Sequence, residues 1–348
     1  MKKTGEDISK EIVQALTEGR HSLVLTGIYE IFHTVYLPNE FTLVLNDCEL
    51  RMVDGTMEPM LCNAGLQARR MNAVQPDSGI RIIGIGHAVL NGGTYNGLSE
   101  RNANKDGLPP IWSNNILLLV NVSGFEIRNL QVRNQRWWAF NLLSCNRGTI
   151  RDIDFCADDS WIDASGQVMH GLERSHYDEI VVKNADGIDL RSGCHDILIE
   201  NITGFCEDDM VALTNLYHNL ERTFSVTDGT RDIYNIAIRN IRGSSYCTMV
   251  RLLNQSGARM YNILIDGVFD DSADSLHMTQ GLYGVRVGDT HLYGDVQPQA
   301  EDTDRITIQN IYSRATYAVD LSGKMQHVLL HNIVPFDQCK GDVQRREE

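Results

Sequence analysis

From residue 125 to residue 333 one short phrase keeps returning: apolar, polar, apolar, polar, then Asn, Asp or Gly, then apolar again. Its copies are Phe125–Leu130, Thr149–Ile153, Ile180–Ala185, Ile197–Ile202, Ile236–Ile241, Ile263–Val268, Ile306–Ile311 and Val328–Ile333. Each alternates inward apolar with outward polar side chains, the period of a short half-buried strand. The Asn, Asp or Gly near its end permits a tight bend, often with positive φ. Aligned copies follow one another after 23, 32, 17, 39, 27, 43 and 22 residues. The short intervals match one coil of a β-solenoid, about 20–29 residues. The longer ones fit a coil with an inserted loop, or two coils with one degenerate copy. A doubly wound α/β fold needs amphipathic helices between its strands, and the intervals carry Gly, Asn and Asp instead. The pattern therefore predicts an all-β parallel β-helix in which each coil buries its face against the next.

The N-terminal segment differs. Asp7–Leu16 has helical periodicity and begins with an Asp able to cap it. Such a helix would cover the open end of the coil, which unpaired strand edges require. Strand-like runs follow at Ser22–Thr26, Phe41–Leu45 and Gly79–Gly84. Residues 91–110 read as a polar loop marked by Gly and Pro, with further long insertions near 155–178 and 269–304. The charged C-terminal run from Asp337 is expected to fray. No linker divides the chain, so residues 1–348 are expected to form one domain.

Composition narrows the classes. With 42% hydrophobic and 22% charged residues the chain is an ordinary globular sequence. A net charge of −15 argues against a nucleic-acid or anionic-membrane partner. No apolar stretch follows Lys2 and Lys3 as in a signal peptide, and none is long enough to span a bilayer, so a cytoplasmic location is expected. The eight cysteines form no CxxC pair and read as free, mostly buried thiols. His170, His176, His195 and His218 lack ligand spacing, so neither a metal site nor a cofactor is expected. His195 reads as a coil-corner residue. The oligomeric state is open, and a homo-oligomer is compatible with the sequence.

Two acidic segments carry the candidate chemistry: Asn184-Ala-Asp186-Gly-Ile-Asp189 and Glu207-Asp208-Asp209-Met-Val-Ala212. Asp186 and Asp208 are 22 residues apart, close to one coil. One coil of separation sets residues in step on adjacent strands, about 4.8 Å apart. Clustered carboxylates repel, so one tends to keep its proton at neutral pH. A protonated acid beside ionised ones suits glycoside hydrolysis, in which one group protonates the leaving oxygen and another activates water or attacks the anomeric carbon. Asn-x-Asp-Gly is also an ordinary turn signature. An Asp pair alone is weak too, since Asp158-Asp159 occurs in a predicted loop.

These segments resemble the polygalacturonase family of glycoside hydrolases, whose signatures read Asn-Thr-Asp-Gly, Gly/Gln-Asp-Asp, Gly-His-Gly and Arg-Ile-Lys. The similarity of layout extends to Gly27-Ile-Tyr29, Gly84–Gly93 and Asn134–Trp138. The resemblance implies a right-handed parallel β-helix and an inverting mechanism. It makes Asp208 the general acid, with Asp186 and Asp209 positioning and activating water. Asn184 belongs to the same motif and is a candidate substrate-binding residue. Gly284-Val-Arg286-Val-Gly288 stands where Arg-Ile-Lys belongs, so Arg286 matches the substrate-binding arginine and Gly288 replaces the lysine. Gly-His-Gly is missing, and Tyr246 or Cys247 takes the histidine's place. These departures put polygalacturonic acid in doubt while leaving the acid machinery standing. Arg251 reads either as a second positive group in the site or as a solvated arginine.

Sugars present apolar C–H faces that stack on rings. Trp138, Trp161 and Tyr283 are the chosen aromatic candidates among Trp137, Trp138, Trp161, Tyr217, Tyr246, Tyr283 and Tyr293. For Trp137 and Trp138, burial of one of the pair is the plainer reading. The expected activity is hydrolysis of plant-type, pectin-like or related oligosaccharides or polysaccharides. Two classes compete with it. One is a lyase, epimerase or intramolecular glycosyl transferase on the same scaffold, where the acids would bind Ca²⁺. The other is a non-catalytic carbohydrate-binding solenoid.

Overall fold

A computed structural model describes residues 2–66, 74–93, 115–162, 164–171, 185–217, 219–224, 226–227, 229–337 and 339–346, apart from the side chains of Trp161, Ile162 and Asn219. Their strands fall into a 13-stranded sheet, a 10-stranded sheet and one antiparallel pair, Trp161–Ile162 with Val168–Met169. Both large sheets are parallel throughout. The chain visits them in turn. Long strand His195–Cys206 leads to short strand Val211–Asn215, then long Ile233–Ser245 leads to short Thr248–Asn254, and so on to Gly341–Arg346. The fold is a parallel β-helix with two main walls.

The repeated phrase builds the longer wall. Ile127, Ile150, Ile199, Ile238, Ile265, Ile308 and Leu330 succeed one another in register. All but the terminal Leu330 are buried in a single apolar core shared with Val211, Val250, Val285 and Val319 of the facing wall. Ile150 pairs directly with Ile199, so no rung lies between them. The copy at Ile180–Ala185 is not among the described rungs of this wall. Residues 180–184 lie outside the described set, and Ala185 leads into the short strand Asp186–Arg191. An alternating pattern marks any half-buried strand and does not say which wall it joins.

Each long strand turns a corner at a residue with positive φ: Asn129, Asp152, Asn201, Asn240, Gly267, Asn310 and Asn332. This left-handed conformation costs most L-residues about 1–2 kcal/mol, and Asn and Asp least because their short side chains bond locally. Here they bond from rung to rung. Asn201 donates to Asp152 (3.0 Å), Asn240 to Asn201 (3.2 Å) and Asn332 to Asn310 (2.8 Å). A second corner has its own ladder, with Asn235 donating to Asp196 (2.8 Å) and Asn262 to Asn235 (3.2 Å). His195 sits at this second corner, stacked on Tyr234 at 4.6 Å.

The expected cap is the helix Gly5–Thr17, which buries Ile8, Ile12 and Ala15 against the first coil. Asp7 is not its first residue. It lies one turn in, and its carboxylate accepts the backbone N–H of Thr4 (2.9 Å). The described part of the C-terminal run is also not frayed. Gly341–Arg346 adds a strand beside Tyr317–Ser322, with Val343 opposite Val319. The insertion near 269–304 contains a rung of the short wall, Tyr283–Gly288. The two other insertions, 91–110 and 155–178, lie partly outside the described residues. All eight cysteines are free, five of them buried.

Candidate active site

The short strands present their outward side chains in rows. One row runs Asn141, Asp189, Ala212, Arg251, Arg286, Asp320, Gln344. At the mouth of the same strands, the Asp209 backbone N–H donates to Asp186 Oδ1 (3.2 Å), and Gly187 N–H donates to the Asp209 carbonyl (2.9 Å). Asp208 is the adjoining residue, and its carbonyl accepts the Ser245 hydroxyl. The structure thus brings Asp186, Asp208 and Asp209 together because neighbouring rungs are in step.

Asp186 is 5% exposed and Asp189 1%, while Asp208 and Asp209 are half-buried. Burial pushes the Asp186 carboxyl well above the usual carboxylate range, and the charges of Asp189, Asp208 and Asp209 push it further. Burial likewise raises Asp189 to about 7, against the pull of Arg191. Asp209 rises to about 7 through burial and the Asp208 charge, opposed by Arg251, a hydrogen bond with Thr248, and Arg286. One Asp189 oxygen, Oδ2, has no hydrogen-bond partner among the described residues. Asp186, Asp189 and Asp209 lie close enough to titrate as a set, and burial raises the affinity of that set for protons.

Beyond the acids the wall is basic, and its bases are paired. Arg251 holds Asp289 (2.9 Å) and donates to the Gly288 carbonyl (2.6 Å). Arg286 bridges Asp289 (2.6 Å) and Asp320 (3.0 Å), and Arg346 also holds Asp320 (2.6 Å). Among the described residues no set of three His, Cys, Asp or Glu side chains is spaced to hold a metal ion.

Comparison with solved structures finds the same architecture in proteins of distant sequence. The exopolygalacturonase of Thermotoga maritima is 12% identical, with 98% of this chain and 87% of that one covered and a TM-score of 0.55. A 1,3-α-1,4-β-D-galactose-4-sulfate-3,6-anhydro-D-galactose-2-sulfate 4 galactohydrolase is 11% identical, covering 98% and 85%, at 0.62. The tailspike protein of Escherichia coli bacteriophage HK620 is 10% identical, covering 99% and 63%, at 0.53. No family model and no curated protein matches the chain. What these structures share with it is the fold.

The remaining expected residues divide. Arg286 lies in the row that continues from Asp189. Arg251 lies there too, and it is buried rather than solvated, because its charge is compensated by Asp289 and lies beside Asp209. Trp138 is opposite Asp186, with the Arg191 guanidinium 3.7 Å above its ring. Trp137 is the fully buried member of the pair. Tyr283 is opposite Thr248 and stacks on Tyr317 at 6.4 Å. Tyr246 is buried in an apolar cluster with Ala157, Ala185, Phe205 and Met278, which corrects its expected place on an open sugar-binding surface. Its neighbour Cys247 is the one that reaches the acids, its thiol pushed up by burial and by the nearby Asp208 and Asp209 charges. Asn184 and the Trp161 side chain lie outside the described residues.

Asp189, Arg191, Asp289 and Asp320 are members that sequence reasoning did not single out. A signal existed for two of them. Asp189 stands between Ile188 and Leu190, and Asp320 between Val319 and Leu321. A lone acid at the outward position of an otherwise apolar strand is costly to bury unless paired or protonated.

Proposed function

We propose that the chain is an inverting glycoside hydrolase acting on pectin-like or related oligosaccharides. The observation that carries this reading is the convergence of Asp186, Asp208 and Asp209 at the mouth of the short-strand wall. Asp208 protonates the leaving glycosidic oxygen. Asp209 and Asp186 take the proton of a water that attacks the opposite face of the sugar, so the anomeric centre inverts in one displacement. Burial and mutual repulsion support acid–base chemistry at the cluster, because carboxyls that share protons supply both an acid and a base near neutral pH, and the division of roles among them follows the resemblance to the polygalacturonase motifs. Asp189 and Arg191 fix the charge of the cluster from beneath. Two of the structures sharing the fold bear the names of an exopolygalacturonase and a galactohydrolase, which agrees with the reading.

The test is release of reducing sugar across a glycan panel by the wild type and by Asp208→Asn. The substitution should lower turnover about 10³-fold or more, the scale of losing a general acid, with the circular-dichroism spectrum unchanged. Near-full activity of Asp208→Asn would remove the role assigned to it. A product absorbing as an unsaturated uronide, lost on adding a chelator, would assign a lyase instead.

A further inference from the structure

A groove of about 630 Å³ lies at the C-terminal ends of the long strands, lined by Cys156, Gly204, Gly243, His277 and the exposed Leu276. Cys156 is the last residue of the strand Asn146–Cys156, half-buried, and it pairs with Phe205 on the next rung. The His277 imidazole comes from a segment far along the chain and stacks on the Phe205 ring at 4.6 Å. That stack holds it beside the Cys156 thiol, to which it is hydrogen-bonded. His277 Nδ1 meets Asp159 Oδ2 at 2.8 Å. With Nδ1 so engaged, Nε2 is the nitrogen left for the thiol. A thiol, a base and a carboxylate that orients the base are thus aligned, the arrangement of an activated nucleophile.

The hydrogen bonds to Cys156 and Asp159 raise His277 to about 9, against the opposing effect of burial. An imidazole of that basicity accepts a thiol proton readily. The two other half-buried cysteines are placed differently. Burial and the charges of Asp208 and Asp209 push the Cys247 thiol up, and Cys339 donates to the Ser313 carbonyl (3.0 Å). The charged groups around the pair are Arg133, Asp154, Arg242, Asp271 and Asp274 in the groove. Arg133 is held by Asp154 (2.7 Å), and His170 meets the second oxygen of Asp159 (3.0 Å).

We propose that Cys156 is a nucleophilic modification site that exchanges with small-molecule disulfides entering this groove, with His277 as its base and Asp159 orienting that base. The thiol proton passes to His277 Nε2, and the Cys156 sulfur bonds to one sulfur of the disulfide. The S–S bond breaks, and the departing thiolate takes the proton from His277 and leaves as a thiol. Disulfide exchange asks nothing beyond these groups, whereas acyl transfer also needs donors aimed at an oxyanion.

The experiment treats the native full-length protein with dithiodipyridine at pH 6.5 and pH 9.5. The released thione gives the rate, and peptide mass spectrometry gives the site. An ordinary thiol is only about 1% ionised at the lower pH. The expected result there is that Cys156 reacts tenfold or more faster than Cys247 and Cys339. His277→Gln should lower the Cys156 rate tenfold or more at pH 6.5 and less than twofold at pH 9.5, where a thiol ionises unaided. Asp159→Asn should shift the rates in the same sense by a smaller factor, and it decides the matter if His277→Gln fails to fold. Cys156 reacting no faster than the other two at pH 6.5 overturns the proposal. So does a substitution effect that is absent, or equal at both pH values, since altered packing or access alone would act equally at both.

Discussion

At the corner of the long strands, Asp152, Asn201 and Asn240 lie one above another. On the mouth of the short strands, Asp186 and Asp209 do the same. Both are columns of small polar side chains repeated at the spacing of one coil, yet their energetics are opposite. Asn201 donates to Asp152 on the rung before it and accepts from Asn240 on the rung after it (3.0 and 3.2 Å), so the added rung satisfies a group the previous one left open. A carboxylate only accepts. Stacking Asp on Asp leaves repulsion that only protons or arginines relieve, and burial amplifies it. The corner column therefore stabilises the coil, while the acid column is a place where the coil tolerates strain in charge. Such strain is a marker of a functional site, though structural ion-pair networks produce it too.

The comparison breaks first at Asp209. If the acid column serves chemistry, Asp209→Asn should cost turnover about 10²–10⁴-fold while leaving thermal stability at pH 8 equal or higher, because it removes a group whose charged form the fold disfavours. Parallel losses of activity and melting temperature would make the column a structural element like the corner. Steady-state kinetics and calorimetry on one preparation supply both numbers.

A smaller effect separates the columns by pH. Asp189 in the fold keeps its proton to about 7, whereas an unfolded Asp releases it near 3.9. Below pH 4 both states are protonated and the fold has its full stability. As pH rises from 4 to 7 the unfolded chain ionises first, so stability falls. Asp189→Asn abolishes that loss. Its advantage over the wild type should be absent at pH 4, grow through pH 7 and then level off at about 1–3 kcal/mol, below the single-site limit because the acids share their repulsion. Urea melts at pH 4, 5.5, 7 and 8 would show it. A pH-independent difference would mean that the Arg191 ion pair, and not the raised proton affinity, dominates at this position.

The corner column was readable from the sequence because its code is local. Asn201, Asn240, Asn310 and Asn332 occupy the same place in a recurring phrase, and both the bend and the wall follow from period 2 and the tolerance of Asn for positive φ. Asp186, Asp208 and Asp209 were legible through the resemblance and through a spacing near one coil. Asp289 and Asp320 were not, and Arg251 was legible only as one of two open readings, because their meaning lies in partners 34–38 residues away and depends on the length of intervening loops. An isolated arginine in an apolar strand looks solvated until the carboxylate on the next rung is placed beside it. Tyr246 and Cys247 show the complementary failure: they share the bend between two strands, and a slip of one position exchanges the buried ring with the thiol beside the acids.

The smallest effect dissects the corner itself. Asn240 combines two devices, a left-handed backbone (φ 53°) and a bond from its amide to Asn201. The next rung shows that the second device is dispensable, since Gly267 occupies the same register with φ 83° and no side chain. Asn240→Gly should therefore lose only hydrogen bonds, about 0.5–1.5 kcal/mol. Asn240→Ala loses the same bonds and must hold a methyl-bearing residue at positive φ, for about 1 kcal/mol more. Turnover should be untouched in both, since this corner lies on the long-strand wall, away from the acids. The order of the two melting temperatures, Gly above Ala, is the diagnostic. Were alanine the more stable, backbone entropy of the unfolded chain would outweigh the left-handed penalty, and the recurrence of Asn along the corner would have to be explained by its hydrogen bonds alone.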